Sequence, residues 1–265
     1  MKRLIILAAV TILFLAAGTV FGGTIGDWVQ VEIRSDSGWS FPVYPTASSY
    51  PKKKVYLEAI KGEEYTITVR NLLSRRVGFV IAVDGRNIIS GKKSWLKNSE
   101  RMYILGPYET GEFRGWRTGS DRVNRFYFTN AADSYASAFG DQSAMGVIAI
   151  AAYPELERCV APPPCSELSP GQSGAAAPPA AKAQGGESKD RCQESAGTGY
   201  GQQEYSPVRV VSFEPEARAL ETVLIKYEWR STLCRMGIVP HDVPKAPSNR
   251  LWDGEGYAPP PPGLN

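Results

Sequence analysis

The residues with the clearest capacity for chemistry lie in one short segment, residues 112–125, EFRGWRTGSDRVNR. Arg114, Trp116 and Arg117 stand close together in it, and arginine beside tryptophan can hold an anionic or sugar ligand through cation–π contacts and forked hydrogen bonds. The alternative role is structural, with Trp116 packed inward and the arginines paired with nearby acids. Those acids are Glu109, Glu112 and Asp121.

A second group of aromatic residues lies in the Ser-, Pro- and Gly-rich segment 35–51. Trp39 and Tyr44, with Phe41 between them, could stack on a sugar or a peptide if they are exposed, or could cover one end of the core. The predicted ligand-binding residues are therefore Trp39, Tyr44, Arg114, Trp116 and Arg117.

Catalysis is limited by the presence of a single histidine, His241, between Pro240 and Asp242 in an irregular tail. A Ser-His-Asp or Cys-His site would have to use it, and we expect a solvated loop residue instead. We predict no catalytic residue and no cofactor. Carboxylates could form an acid/base pair on a β-sandwich, as glycoside hydrolysis requires, but their spacing selects no pair. The candidates are Asp84, Glu109, Glu112, Asp121, Asp133 and Asp141.

All four cysteines lie in the second half of the chain, and an even number in an exported protein predicts two disulfides. They are Cys159, Cys165, Cys192 and Cys234, and three pairings are possible. A zinc site is the alternative, but the chain has no Cys-x-x-Cys motif and one histidine, so we predict no metal.

The first 23 residues have the pattern of a secretory signal peptide. A basic start at Lys2 and Arg3 precedes an apolar run, 4–17, and then small residues. An uncleaved membrane anchor is the alternative, since residues 4–21 are about long enough to cross a bilayer. We expect cleavage, a periplasmic or extracellular location, and no membrane span in the mature chain.

Residues 24–153 carry 17 basic and 13 acidic side chains, a net charge of +4. Domains that bind nucleic acid usually concentrate their positive charge more strongly, so we do not expect a nucleic-acid partner. The partner remains unknown at this stage, with an envelope protein or a glycan as the candidates.

The elements that must position these side chains are strands. Segment 64–91 alternates apolar and polar residues, continues through an apolar run at 77–83 and turns at Asp84-Gly85, which predicts three successive antiparallel strands at the centre of a sheet. About eight strands with regular turn signals predict an all-β fold, an antiparallel β-sandwich of jelly-roll-like or Ig-like type, over residues 24–154.

The second half changes in composition. Residues 155–203 are rich in Pro, Ala and Gly and predict a disordered linker or insertion. Two apolar segments, 207–213 and 222–229, predict two strands, a C-terminal β-hairpin within residues 204–239 that returns to the sandwich either as added strands or as a hairpin on its surface. A separate small disulfide-tied domain is the alternative. Residues 240–265 predict an irregular, Pro-rich tail.

The runs RRVGFVIAVDGRNIISGKK, YILGPYETGEFRGWRTGSDRVNRFYFT and GVIAIAAY give the region 50–153 a recognisable pattern. It resembles uncharacterised exported bacterial β-sandwich proteins in which a VDG-x-N-x-x-x-GK hairpin precedes a GWR or GFR segment and an apolar closing strand. The resemblance implies a bacterial, extracytoplasmic protein. It implies no activity, so no functional residue is transferred from it.

These observations favour an exported, non-enzymatic envelope or extracellular protein that binds a partner through a β-sandwich surface. The alternative is a carbohydrate-binding module or a carboxylate-based enzyme that acts on glycans. A groove lined by Trp39, Tyr44 or Trp116 with two facing carboxylates would favour the enzyme. A third possibility is a purely structural module with all these side chains buried.

Overall fold

A computed structural model describes residues 24–157 and 195–240 of the chain. These residues form two β-sheets that pack face to face, so the predicted all-β sandwich is confirmed. The predicted signal peptide, most of the predicted insertion and the tail after Pro240 lie outside the described residues.

The first sheet has seven strands, all paired antiparallel, with β1, β4, β10 and β12 side by side. Strands are numbered in chain order. This sheet contains β1 (Val29–Ser35), β4 (Glu64–Asn71), β8 (Thr110–Phe113), β9 (Gly115–Arg117), β10 (Arg122–Asn130), β12 (Ala196–Thr198) and β13 (Gln203–Tyr205). The alternation in β1 buries Val29, Val31 and Ile33, because every second side chain of a strand points to the same face.

The second sheet also has seven strands, in the order β2-β3-β14-β11-β5-β6, with β7 beside β5. It contains β2 (Val43–Pro45), β3 (Lys52–Ala59), β5 (Val77–Val83), β6 (Arg86–Asn87), β7 (Tyr103–Leu105), β11 (Val147–Pro154) and β14 (Glu221–Trp229). Strand β14 runs antiparallel to β11 but parallel to β3, so this sheet is mixed.

Large side chains from both sheets fill the space between them. Tyr65 stacks on Phe126 and on Phe128, with ring centres 5.3 and 4.3 Å apart, and Phe128 lies 5.1 Å from Tyr227 of the opposite sheet. Aromatic pairs at these separations add to the stabilisation that burial already provides. The core is therefore continuous from one sheet to the other.

The prediction of three adjacent strands between Glu64 and Gly91 is wrong. Strand β4 belongs to the first sheet and β5 to the second, so the polar turn between them crosses the sandwich. The Asp84-Gly85 hairpin does form, but its return strand β6 has only two residues. Both turn residues have positive φ, 49° and 76°, as a tight hairpin requires.

The predicted C-terminal hairpin is not formed, and of its two segments only 222–229 is a strand, added to the second sheet. Residues 207–213 are not a strand, and β14 is an interior strand of the second sheet, flanked by β3 and β11. The predicted linker also extends too far, because β12 and the first residue of β13 lie within 155–203. The strands of the second half, β12, β13 and β14, are therefore part of the sandwich itself.

Two local features complete the described fold. Residues 131–140 form two 3₁₀ turns, Ala131–Asp133 and Ser137–Phe139. Cys234 lies in a short helix, α1 (Arg230–Arg235), as a buried free thiol, so the expected disulfide at this residue is not seen. Cys159, Cys165 and Cys192 lie outside the described residues.

Candidate functional site

A cleft of about 430 Å³ opens beside β9 and β10. Four parts of the sequence line it: the β6–β7 connection, the β9–β10 region, the two 3₁₀ turns and the segment that follows β12. The lining residues are Ile88, Gly91, Trp116, Arg117, Thr118, Tyr127, Asp133, Ser134, Tyr135, Ala138, Phe139 and Tyr200. The volume is in the range of small-molecule sites in proteins, which is roughly 300–1,000 Å³.

Tyr135 lies at the centre of the aromatic wall, between the two 3₁₀ turns. Its backbone N–H donates to the carbonyl of Thr198, 2.9 Å away, which attaches the turn to β12. Its ring stacks on Tyr200 at 5.4 Å and lies 5.0 Å from Phe139 in an edge-to-face arrangement. Tyr200 and Phe139 remain 46% and 56% exposed, so they are available to a ligand.

Glycine permits the close packing behind this wall. A Cβ at Gly199 would lie 2.1 Å from the Tyr127 ring, which no real side chain could accommodate without movement. The sequence Gly199-Tyr200-Gly201 therefore lets the backbone lie against Tyr127 while the Tyr200 ring points into the cleft. This is why a segment rich in glycine and poor in bulky residues still forms part of a site.

Trp116 closes the inner end of the cleft and is only 2% exposed. Its indole N–H donates to the Gly199 carbonyl at 3.0 Å, and its ring lies 4.4 Å from Tyr135 and 5.3 Å from Phe126. A residue held this way belongs mainly to the core, as the structural alternative for the segment predicted.

Arg117 lies beside Trp116 but is already engaged. Its guanidinium donates to the Tyr103 hydroxyl at 2.6 Å, to the carbonyls of Gly119 and Ser206, and to the Ser206 hydroxyl. These acceptors are all neutral, and Arg117 forms no ion pair with any residue in the described ranges, so its positive charge is not compensated by them. It can influence a ligand through its field more readily than through new hydrogen bonds.

The open polar groups of the cleft are acceptors and hydroxyls. Within the part of the chain that the structure describes, no hydrogen bond is made by the Asp133 carboxylate or by the hydroxyls of Tyr127, Tyr135 and Tyr200. Asp133 is the sole carboxylate among the lining residues. The cleft therefore combines aromatic faces with a few polar groups that are free to orient a ligand.

The five residues predicted from the sequence do not share one surface. Only Trp116 and Arg117 line the cleft. Trp39 packs on Phe41 at 4.4 Å, and Tyr44 on β2 donates to Glu58 at 3.0 Å, where burial and the Glu58 carboxylate raise the pKa of Tyr44 to about 12. Arg114 pairs with two carboxylates, 2.9 Å and 3.0 Å away. Those are Glu112 and Glu204.

Sequence reasoning missed most of the aromatic wall, namely Tyr127, Tyr135, Phe139 and Tyr200. One signal was present: Tyr200 stands between two glycines at the end of a segment otherwise poor in large side chains. A lone aromatic residue flanked by glycines indicates close backbone packing rather than a linker.

A buried polar network lies deeper, at the end of the Asp84 hairpin. The Asp84 carboxylate accepts hydrogen bonds from the backbone N–H groups of Gly146 and Thr198, both at 2.7 Å, and from the Tyr227 hydroxyl at 2.6 Å. The Thr198 hydroxyl in turn bonds to those of Tyr227 and Tyr65. This network joins both sheets and anchors β12, from which the cleft wall continues.

The stability of the fold should depend on pH through Asp84. Burial raises the pKa of Asp84 to about 6, although the hydrogen bonds from Tyr227, Thr198 and Gly146 oppose this rise. The folded state therefore holds the proton more tightly than the unfolded chain between about pH 4 and pH 6. This stabilisation is present below pH 4 and is lost as the pH rises to 6, by about 3 kcal/mol, since one pKa unit corresponds to ~1.4 kcal/mol.

Urea unfolding of the native protein and of Asp84→Asn at pH 4, 5, 6 and 7 measures this effect. As the pH rises from 4 to 7, the native protein should lose about 3 kcal/mol of unfolding free energy relative to Asp84→Asn. A difference that stays constant with pH would contradict the assignment to Asp84. Both proteins share the other carboxylates, so the pH dependence that those contribute cancels in the difference. Asp36 and Asp141 are examples, since their pKa values are lowered by Arg125 and by Ser143 respectively.

Comparisons with known proteins found no family model, curated protein or solved structure that matches the chain. The resemblance of residues 50–153 to exported bacterial proteins therefore stays a prediction. In residues 24–157 and 195–240, no group of three His, Cys, Asp or Glu side chains is placed to hold a metal ion. No helix in the same ranges has the length and apolar character needed to cross a membrane.

Proposed function

We propose that this chain is an exported, non-enzymatic protein of the cell envelope or extracellular space, and that it binds its partner at the aromatic cleft. The observation that carries the proposal is the exposed pair Tyr200 and Phe139, held on either side of Tyr135 above a buried Trp116. Rings fixed by packing lose little conformational entropy on binding, so they are effective anchors for a partner. The signal-peptide pattern of residues 1–23 supports export.

Binding fits the cleft better than catalysis does. Glycoside hydrolysis needs two carboxyl groups about 5–10 Å apart, and Asp133 alone lines the cleft. Arg117 is held by four oxygen atoms and so has little freedom to follow a reaction. The arrangement can hold a ligand, but its lining offers no second carboxylate for the pair that glycoside hydrolysis needs.

Carbohydrate binding is the second candidate, and the mixture of groups in the cleft favours it. A sugar ring presents an apolar face to an aromatic side chain and hydroxyls at its edge. Tyr200 and Phe139 supply the faces, while Asp133 and the free tyrosine hydroxyls supply hydrogen-bonding partners. In this case the partner would be an envelope glycan rather than a protein.

The test is retention of the chain on immobilised envelope extract, comparing the native protein with Tyr200→Ala and Phe139→Ala. Each substitution should weaken retention about tenfold, because loss of a central aromatic anchor commonly costs ~1–2 kcal/mol of binding free energy. Trp116 and Arg117 are poor choices for this test, since both support the fold.

Tyr205→Ala is the matched control, because Tyr205 is an exposed tyrosine on β13 that does not line the cleft. It should bind like the native protein. Equal retention of the native chain and both cleft variants would rule out this surface. Soluble oligosaccharides that release the bound protein would assign it to carbohydrate binding, whereas release only by protease treatment of the extract would assign it to a protein partner.

A further inference from the structure

The connection between β6 and β7 carries a cluster of basic residues around one tryptophan. Residues 91–101, GKKSWLKNSER, contain four basic side chains and one acid, a net charge of +3. Trp95 is 69% exposed, and it is not part of the cleft. We call this segment the Trp95 loop. What distinguishes Trp95 from the other exposed apolar side chains is the set of positive charges in the same segment.

One carboxylate organises the Trp95 loop from inside. Glu100 accepts hydrogen bonds from the Ser94 hydroxyl at 2.7 Å and from the backbone N–H groups of Trp95 and Lys97 at 2.8 and 3.0 Å. The Asn87 amide, at the end of the hairpin, donates to the same carboxylate at 3.4 Å. The loop is thus a fixed structure, although it contains no strand or helix.

The residue after the tryptophan anchors the loop at a cost in backbone energy. Leu96 has a φ of 55°, which is unfavourable for a side chain with a Cβ. Its side chain packs on the small cluster of Val80, Ala151 and Tyr153, and its carbonyl accepts a hydrogen bond from the Tyr153 hydroxyl. Strain of this kind persists where the surrounding structure enforces it. Here it turns Leu96 inward and leaves Trp95 outside.

The positive charges of the loop are mostly uncompensated. Lys92, Lys97 and Arg101 are exposed and form no ion pair within the described part of the chain. Lys93 lies 5.4 Å from the centre of the Trp95 ring and 3.6 Å from the Asp141 carboxylate. The exposed ring and the unpaired positive charges therefore belong to one solvent-exposed loop.

We propose that the Trp95 loop docks the protein on an anionic phospholipid surface. Tryptophan favours the boundary between headgroups and acyl chains, because its ring is apolar and its N–H can remain hydrogen-bonded. Lysine and arginine near such a surface are attracted by the negative headgroups. The positive charge of the loop is complementary to the negative charge of this surface. Because the loop has a fixed conformation, docking requires little ordering of the chain. The inference does not depend on the cleft or its ligand.

Cosedimentation with large unilamellar vesicles tests the proposal, using the chain from Thr24 to Asn265 so that the apolar first segment does not contribute. Vesicles of equal phosphatidylglycerol and phosphatidylcholine should bind the protein at 50 mM salt, and pure phosphatidylcholine should bind it at least tenfold more weakly. Trp95→Ala and the double variant Lys92→Ala/Lys97→Ala should each reduce binding to the anionic vesicles about tenfold. Raising the salt to 500 mM should reduce it similarly, because screening weakens the attraction of exposed charges.

The controls are matched in chemistry. Tyr205→Ala removes an exposed ring elsewhere, and Lys61→Ala/Arg70→Ala removes two exposed charges, one in the turn before β4 and one on β4. Both should bind anionic vesicles like the native chain, and all variants should keep the native unfolding temperature. Equal binding to both vesicle types, an equal loss in the control variants, or retention on soluble dextran sulfate without vesicle binding would each overturn the proposal.

Discussion

Replacement of Trp116 by alanine is expected to lower the free energy of unfolding by about 4 kcal/mol. The substitution removes a buried ring that packs on Tyr135 and Phe126, and truncation of a core tryptophan typically costs ~3–5 kcal/mol. It also leaves the Gly199 carbonyl without the indole N–H that it accepts at 3.0 Å. The effect should appear as a large decrease in the urea midpoint at unchanged slope.

Two companion variants separate the causes. Trp116→Phe keeps most of the ring but not the N–H, so a loss of about 1–2 kcal/mol is expected from the unpaired carbonyl and the smaller volume. Trp39→Ala, at a tryptophan that is 38% exposed, should cost clearly less than Trp116→Ala. If Trp116→Ala left the stability intact while ligand capture was lost, Trp116 would be a contact residue rather than a structural one.

Replacement of Asp84 by alanine is expected to destabilise the fold by about 3 kcal/mol at pH 5, and by less at pH 7. Three buried donors lose their acceptor at once: the N–H groups of Gly146 and Thr198 and the Tyr227 hydroxyl. An unsatisfied buried donor costs roughly 1–3 kcal/mol, and alanine tolerates the positive φ of this position poorly. The loss is smaller at pH 7 because the buried carboxylate is then ionised and already weakens the native protein.

Asp84→Asn distinguishes the backbone from the charge. Asparagine accepts positive φ readily and keeps one acceptor oxygen, so it should recover part of the loss. Asp133→Ala is the matched control, because the exposed Asp133 carboxylate has no hydrogen-bond partner in the described ranges, and it should change stability by less than about 0.5 kcal/mol. A loss below 1 kcal/mol for Asp84→Ala would contradict both the role of the buried hydrogen bonds and the need for a residue that accepts positive φ.

The Asp84 network also connects the fold to the proposed binding site. The hydrogen bond from the Thr198 N–H to the Asp84 carboxylate holds β12 in place, and Tyr200 of the cleft wall follows two residues later. Asp84 variants are therefore expected to weaken binding indirectly, through the position of Tyr200. For this reason Tyr200→Ala and Phe139→Ala, at exposed rings, are the more informative variants for function.

The sequence determined the strands that carry a clear period-two pattern or an uninterrupted apolar run. Val29, Val31 and Ile33 alternate and are buried in β1, and the apolar runs at 77–83 and 147–154 are β5 and β11. Side-chain alternation is a property of the individual strand, so it can be read without knowledge of the partner strand. The sandwich class follows from the number and spacing of such strands.

Only the tertiary structure decided which strands pair. Strand β14 lies parallel to β3 although more than 160 residues separate them, and β4 and β5 lie in opposite sheets although a short turn joins them. The segment 207–213 is apolar enough for a strand, but the structure assigns no strand there. A strand requires hydrogen bonds from another strand, and the local pattern does not contain the identity of that partner.

The site shows the same division. The sequence pointed to Trp116 and Arg117 because their types stand out, and the fold turns Trp116 inward and binds Arg117 to neutral oxygens. Asp84 was recognised as a turn residue, while its carboxylate is the acceptor of a buried network between the sheets. The cleft itself joins side chains from residues 88 to 200, and such a convergence arises only when packing brings distant segments together.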